Sequence, residues 1–96
     1  MAGTPEAKVK RHVSQTLKRA EAVYYFMPVQ TGYGSPTLDY LGSSHGRAFA
    51  IETKAPGKKP TLRQVAIIRE MEAAGMKVFV IAGDPKEYEA LRLWLY

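Results

Sequence analysis

The chain contains no cysteine and only two histidines, His12 and His45. The lack of cysteine excludes disulfide bonds, thiolate zinc sites and a cysteine nucleophile. Two histidines are too few for a histidine-rich metal centre, so oxygen ligands, which suit Mg²⁺ or Mn²⁺, are the coordination chemistry that the composition leaves. No apolar run approaches membrane-spanning length, and residues 1–6 lack a signal-peptide hydrophobic region, so we expect a cytoplasmic protein.

Acidic residues are scarce relative to basic ones. The chain has 9 Asp and Glu against 14 Lys and Arg, which gives a net charge of +5 and a pI near 9.6. This excess indicates a polyanionic partner such as nucleic acid, although many basic proteins have no such partner. A length of 96 residues with 46% hydrophobic residues predicts one small domain, residues 1–96, around a single core.

Residues 46–57 predict a buried strand that carries an acid and a lysine to the edge of a sheet. Side chains alternate along a strand, so Glu52 and Lys54 share a face with Ala48 and Ala50. Burial of an unpaired charge is costly, so the two charges require an explanation. They either form a plain ion pair or belong to a site that binds a divalent cation beside an ammonium group. The second interpretation requires further acids nearby.

The first helix is predicted to begin at Thr4 and Pro5, a capping residue followed by a proline at the first helical position. Apolar residues recur along it at helical spacing: Val9, Val13, Leu17 and Ala20. Glu6 projects into the middle of this apolar arc, where it either complements the helix dipole or reaches a site. The opposite side is basic, either solvated or following phosphates: Lys8, Arg11, Lys18 and Arg19.

Two strands are predicted next, at residues 24–29 and 38–41, followed by a hairpin turn at 42–46. Asp39 lies between apolar neighbours in the second of these strands, and no other acid lies between Glu21 and Glu52. Asp39 either begins a turn or serves a site. Because residues 42–46 already supply a turn, the pattern favours the site.

A basic loop at residues 55–60 precedes a helix that is predicted to begin after Thr61 and to end before Gly75. Gln64 falls within an apolar arc of this helix, so its amide either reaches the site or makes a capping hydrogen bond. The helix is apolar on two sides, which indicates either a place in the core or a subunit interface. Residues 77–82 predict a strand buried on both faces, and 84–87 begin the last helix.

The predicted order is αβββαβα, an α/β fold in which helices flank a small mixed sheet. The polar residues that the periodicities direct to one place are Glu6, Asp39, Glu52, Lys54 and Gln64. This arrangement resembles the PD-(D/E)xK nuclease superfamily, in which an acid at a strand start precedes an acid-x-Lys on the next strand. Residues 34–36, Asp39, 51–54 and 58–64 more narrowly resemble a stand-alone virus-type replication-repair nuclease (VRR-NUC) domain with a restriction-endonuclease-like core. In this family the acid commonly follows the proline directly, whereas two residues intervene here.

The resemblance implies metal-dependent hydrolysis of DNA phosphodiester bonds. Asp39 and Glu52 would bind Mg²⁺ or Mn²⁺, with the backbone carbonyl of Thr53 as a further ligand. Lys54 would orient the attacking water or stabilise the transition state. The implied catalytic residues that would position water, metal or Lys54 are Gln64 and Glu6. The residues expected to bind the phosphate backbone are Lys8, Arg11, Lys58 and Lys59.

The small stand-alone members of this group resemble junction-resolving enzymes that work as homodimers. This resemblance predicts a dimeric, structure-selective endonuclease that acts on four-way or other branched DNA. One alternative is a nuclease for flaps, nicks or plain duplexes with the same site. Another is a non-catalytic module that binds nucleic acid through its basic residues. A protein-interaction domain is a further alternative, but it leaves the inward-facing acids unexplained.

Overall fold

The computed structural model describes residues 3–27 and 37–96, and within these it is a mixed α/β fold. Its elements in chain order are α1 (Pro5–Arg19), β1 (Val23–Phe26), β2 (Tyr40–Ser44), β3 (Arg47–Thr53), α2 (Leu62–Ala73), β4 (Lys77–Ile81) and α3 (Pro85–Leu95). The predicted order αβββαβα is confirmed, and the arrangement is compatible with a restriction-endonuclease-like core. The motif at residues 34–36 and the end of the first predicted strand, residues 28–29, lie outside the described residues.

Each helix begins at a side chain that caps its first free backbone amides. Thr4 Oγ1 accepts a hydrogen bond from the Ala7 amide at the start of α1. Thr61 and Asp84 cap α2 and α3 in capping boxes that Gln64 and Glu87 complete. These local interactions are readable in the sequence, which is why the predicted starts of all three described helices are confirmed.

The sheet has the strand order β1-β2-β3-β4. The first two pairings are antiparallel, and β3 pairs in parallel with β4 through the crossover helix α2. β3 therefore has neighbours on both sides, and its residues 49–53 are all buried. β4 lies at an edge of the sheet, and only Ile81 of its five residues is buried. The prediction that this strand is buried on both faces is therefore wrong.

The β2–β3 hairpin is tighter than predicted. β2 begins at Tyr40 and continues to Ser44, so the turn consists of His45 and Gly46 rather than residues 42–46. Both turn residues have positive φ, 52° and 76°, as a two-residue turn between right-twisted strands requires. Position 42 of β2 requires glycine, because a Cβ there would collide with the Val23 carbonyl oxygen and the Phe49 ring.

The two faces of the sheet are covered differently. Phe49 and Ile51 point to the face that carries α1 and α3, and the main core lies there. The buried residues packed around them are Val9, Val13, Leu17, Tyr40, Ile81, Leu91 and Leu95. Ala50 and Glu52 point to the opposite face, which carries α2, and no residue of α2 is buried. The sequence predicted that this helix lies either in the core or at a subunit interface, and the first of these two predictions is wrong.

Among residues 3–27 and 37–96, no helix combines the length and the apolar composition needed to cross a membrane.

Candidate active site

The candidate site lies at the carboxyl end of β3. Glu52 and Thr53 are the last residues of this strand and are 4% and 1% exposed. The Lys54 amide donates to the Ile81 carbonyl oxygen at 2.9 Å, so the backbone stays fixed to β4 just beyond the strand. The start of α1, the residue before β2 and the first turn of α2 each contribute side chains to this end of the sheet.

Glu52 is held through one of its two carboxylate oxygens. Gln64 Nε2 donates to Glu52 Oε2 at 2.8 Å, and Lys54 Nζ lies 3.5 Å from the same oxygen. Gln64 Oε1 also accepts a hydrogen bond from the Thr61 amide at 3.0 Å. The two alternatives for Gln64, a site contact and a capping bond, are therefore both correct, because its two amide atoms serve different partners.

Asp39 is fixed in a similar manner by Thr53. Its Oδ2 accepts hydrogen bonds from the Thr53 amide at 2.9 Å and from Thr53 Oγ1 at 2.6 Å. Asp39 directly precedes Tyr40, which pairs with Ile51 at the end of the β2–β3 register, so Asp39 lies next to the end of β3. The contacts of Thr53 with Asp39 use the amide and the hydroxyl, whereas the sequence predicted a role for the Thr53 carbonyl.

The contacts of the two carboxylates are concentrated on one oxygen of each. Among the described residues, Asp39 accepts its hydrogen bonds from Lys10 and Thr53 through Oδ2, and Gln64 and Lys54 engage Glu52 at Oε2. Asp39 Oδ1 accepts none of these hydrogen bonds and is an oxygen that a ligand could use.

The electrostatics of the site favour an added cation. Burial raises the pKa of Glu52, and the negative charge of Asp39 raises it further. The Lys54 ammonium and the backbone amide of Asp39 lower this pKa and offset only part of the effect. Because two negative groups lie near each other and one is buried, a divalent cation between them would relieve both the repulsion and the lost hydration.

Lys10 joins this site, although no role for it is predicted from the sequence. Its Nζ lies 2.7 Å from Glu6 Oε2, 2.7 Å from Thr53 Oγ1 and 3.4 Å from Asp39 Oδ2. Burial alone would lower the pKa of Lys10, but its hydrogen bonds to Glu6 and Asp39 and their negative charges raise it above its ordinary value. The one sequence feature that could have indicated this role is the i, i+4 spacing from Glu6 to Lys10, but many exposed ion pairs have the same spacing.

Glu6 therefore lies at the border of the site. It contacts Lys10 directly, and Lys10 in turn contacts Asp39. Within the described residues Glu6 makes no hydrogen bond or ion pair with Lys54, and its carboxylate pairs with the Lys10 ammonium instead. The structure thus brings together Asp39, Glu52, Lys54 and Gln64 directly, and Glu6 through Lys10.

The donor set fits the Mg²⁺ or Mn²⁺ that the sequence implies. Within residues 3–27 and 37–96, no three His, Asp or Glu side chains group closely enough to form a metal cluster. Asp39 and Glu52 instead offer a pair of carboxylates. Mg²⁺ is commonly bound by one or two carboxylates, with waters and substrate phosphate oxygens completing its coordination. A pair of hard oxygen donors is therefore sufficient for such an ion.

The four predicted phosphate-binding residues are exposed, as such a role requires. Lys8 and Arg11 lie on the outer side of α1. Lys58 and Lys59 lie in the loop that connects the carboxyl end of β3 to α2, next to the candidate site. The Lys58 amide donates to the Ala55 carbonyl oxygen at 3.0 Å, which fixes the backbone turn in this loop.

Comparison with known proteins adds no family assignment. No family model matches the chain, and a search of curated proteins gives no significant match.

Proposed function

We propose that this chain is a divalent-metal-dependent nuclease that hydrolyses DNA phosphodiester bonds, and that it acts on branched DNA as a homodimer. One observation carries the proposal: hydrogen bonds from Thr53 and Gln64 hold Asp39 and Glu52 near each other at the end of a buried strand, and Lys54 lies beside Glu52. A plain ion pair would explain Glu52 and Lys54 alone. It would not explain why a second carboxylate is held next to them.

The residues of the site divide the chemistry between them. A bound Mg²⁺ or Mn²⁺ lowers the pKa of a coordinated water and neutralises charge on the phosphate. Asp39 and Glu52 would hold that ion, while Thr53 and Gln64 fix the two carboxylates by hydrogen bonds. The Lys54 ammonium orients the attacking water or stabilises the negative charge that develops on the phosphate in the transition state.

The proposed substrate follows from charge and symmetry. The exposed lysines of the 55–60 loop lie beside the site, and the chain carries a net charge of +5, so a polyanion is attracted to this end of the molecule. A homodimer would carry two such sites related by a two-fold axis. Two symmetric sites suit the cutting of two strands in a four-way junction.

The proposal is tested by cleavage of a labelled four-way junction beside a linear duplex of matching sequence. Each substrate is incubated with Mg²⁺, with Mn²⁺ or with EDTA. We expect symmetric cutting of the junction that requires the metal. Asp39→Asn, Glu52→Gln and Lys54→Met should each lower the cleavage rate on the order of 10²- to 10³-fold, the usual loss for a single electrostatic group in an active site.

Lys77→Met is the matched control for Lys54→Met. Both variants remove one ammonium, but Lys77 pairs with Phe49 at the opposite end of the β3–β4 ladder from the site. The Lys77→Met protein should therefore cleave the junction at the wild-type rate. Near-normal cleavage by a folded Lys54→Met protein would contradict the assigned role of this residue.

The same experiment separates the alternatives. Cutting of both substrates would support the proposed active site but contradict junction selectivity, and would favour a nuclease for flaps, nicks or duplexes. Salt-sensitive binding of DNA without any cutting, in either metal, would favour a non-catalytic nucleic-acid-binding module. In that case Asp39 and Glu52 would have a structural role.

A further inference from the structure

The ammonium group of Lys10 lies among acceptor oxygens of the site rather than in open solvent. It is surrounded by oxygens from three parts of the fold: Glu6 on α1, Asp39 before β2 and Thr53 at the end of β3. The Lys10 side chain is only 25% exposed. A lysine that merely improved solubility would keep its ammonium in water, so the location of this group requires a reason.

The oxygens around Lys10 are of the kind that bind a hard divalent ion. They comprise two carboxylate oxygens and one hydroxyl oxygen, and two of the three lie 2.7 Å from the ammonium nitrogen. Asp39 Oδ2 faces Lys10 and Thr53, whereas Asp39 Oδ1 accepts no hydrogen bond within the described residues. The Asp39 carboxylate thus has one side turned to a fixed positive charge and one oxygen left for a ligand.

We propose, on the basis of the nuclease function proposed above, that Lys10 takes the place of a second divalent cation and limits the site to one metal ion. The single ion binds at Asp39 and Glu52. The position between Glu6 and Asp39, where a second ion would bridge two carboxylates, is filled by the ammonium. A divalent ion cannot enter this position while Lys10 stays there, because the two positive charges repel each other at short range.

The site thereby obtains two centres of positive charge from one bound ion. Two-metal nucleases use a pair of ions to stabilise the attacking and the leaving oxygens. Here the second charge is covalently attached to α1. Its presence does not depend on the metal concentration, and Glu6 serves as a positioning residue that keeps it beside Asp39.

The test is the number of Mn²⁺ ions bound per chain, measured by calorimetry and by electron paramagnetic resonance. Wild type should bind one ion with the signal of an isolated Mn²⁺. Lys10→Met, which keeps most of the length of the side chain and removes its charge, should double the stoichiometry and give the signal of a coupled Mn²⁺ pair. Lys10→Arg retains the charge and should again bind one ion.

A double variant shows where the second ion binds. Lys10→Met/Glu6→Gln removes one of the two carboxylates from the vacated position, so it should return to one ion per chain. The double variant also has no unpaired Glu6 charge, so it provides a folded comparison if Lys10→Met is unstable. Circular dichroism confirms folding of each protein before titration.

The outcomes are distinct. Two ions in the wild type, or one ion in a folded Lys10→Met, would overturn the role of Lys10. No ion in the wild type would overturn both this inference and the nuclease proposal. One ion in the wild type and two in Lys10→Met, without cleavage of any DNA, would support the metal stoichiometry and reject the nuclease.

Discussion

Glu52 shows how a single residue can serve a site and weaken the fold. It is 4% exposed, and its closest cation, the Lys54 ammonium, lies 3.5 Å from Oε2. Burial and the charge of Asp39 raise the pKa of Glu52 above its ordinary value, so the folded protein holds the acidic proton more tightly than the unfolded chain does. Ionisation of Glu52 at neutral pH therefore lowers the free energy of unfolding.

We predict that Glu52→Gln stabilises the metal-free protein at pH 8. A carboxyl with a raised pKa stabilises the fold below its ordinary pKa near 4.5, and this stabilisation is lost as the pH rises through the raised folded value. The gain raises Tm, by about 4–8 °C for each 1 kcal/mol in a domain of this size. Thermal unfolding in EDTA at pH 8 and pH 4 should show an increase at pH 8 and a much smaller one at pH 4.

The control for this prediction is Glu89→Gln. Glu89 is an exposed glutamate that pairs with Arg92 on α3, away from the site, and its loss should change Tm little at either pH. Added Mn²⁺ should raise the Tm of wild type and of Glu89→Gln, but not that of Glu52→Gln. A Glu52→Gln protein less stable than wild type at both pH values would contradict the assigned cost of this carboxylate.

Local rules were sufficient to identify most of the candidate site. Strand alternation predicted that Glu52 and Lys54 share a face, and the scarcity of acids singled out Asp39. Lys10 could not be found in this way. Its role depends on the rotation of α1 about its own axis relative to β3, and packing between residues distant in sequence determines that rotation. The i, i+4 spacing from Glu6 to Lys10 indicates a pair on α1 but not that this pair faces Asp39 and Thr53.

Two elements, α2 and β1, have no buried residue. α2 covers the face of the sheet that carries Ala50 and Glu52, yet none of its own residues is buried. The part of this face on β1 and β2 is more open: Val23 is 63% exposed and Tyr25 is 68% exposed. These exposed apolar side chains support the proposed homodimer, since a second copy packed on this face would cover α2 and the open strands together.

We predict sedimentation at micromolar concentration as a dimer, with twice the chain mass of 10.7 kDa. Tyr25→Glu should shift the protein to a monomer, because it places a charge in the middle of the open part of the sheet. Leu93→Glu tests an exposed apolar residue on α3, where Leu93 is 62% exposed. If only Leu93→Glu gives a monomer, the interface lies at the C-terminal helix. A wild-type protein that sediments as a monomer would contradict the proposed dimer.

Element boundaries were predicted less well than element order. Residues Gly42, Ser43 and Ser44 are typical of turns, yet they pair with residues 47–49 of β3 as part of β2. Pairing with a strongly β-forming neighbour outweighed their own low strand propensity. The apolar run 77–82 likewise gave no sign that β4 lies at the edge of the sheet, because the strand order is a property of the whole fold.

At the scale of the whole molecule, the charge is unevenly arranged around the site. The exposed Lys58 and Lys59 lie beside the carboxyl end of β3, whereas Lys18 lies in the last turn of α1 and Lys77 at the start of β4. The net charge of +5 attracts a polyanion to any part of the molecule. The local arrangement favours phosphate contacts from the loop that connects the site to α2.

We predict that the double variant Lys58→Gln/Lys59→Gln weakens DNA binding and reduces its salt dependence. Each lost phosphate contact should lower the slope of log K against log salt concentration by about 1, so the slope should fall by about 2. Fluorescence anisotropy with a labelled junction in EDTA, over a series of salt concentrations, measures this slope without cleavage.

Lys18→Gln/Lys77→Gln removes the same charge at the opposite end of the molecule. We expect its slope to remain close to that of wild type. Equal slopes for the two double variants would show that binding depends on net charge alone, and would remove Lys58 and Lys59 from the predicted DNA-binding residues.

Gln64 joins the start of α2 to the site through a single side chain, with one amide atom bound to Thr61 and the other to Glu52. Fraying of the first turn of α2 must therefore release the Glu52 carboxylate as well. The converse also holds, since any ligand that fixes Glu52 slows the opening of that turn. Amide hydrogen exchange at Thr61 and Gln64 would then report occupancy of a site to which neither backbone amide belongs.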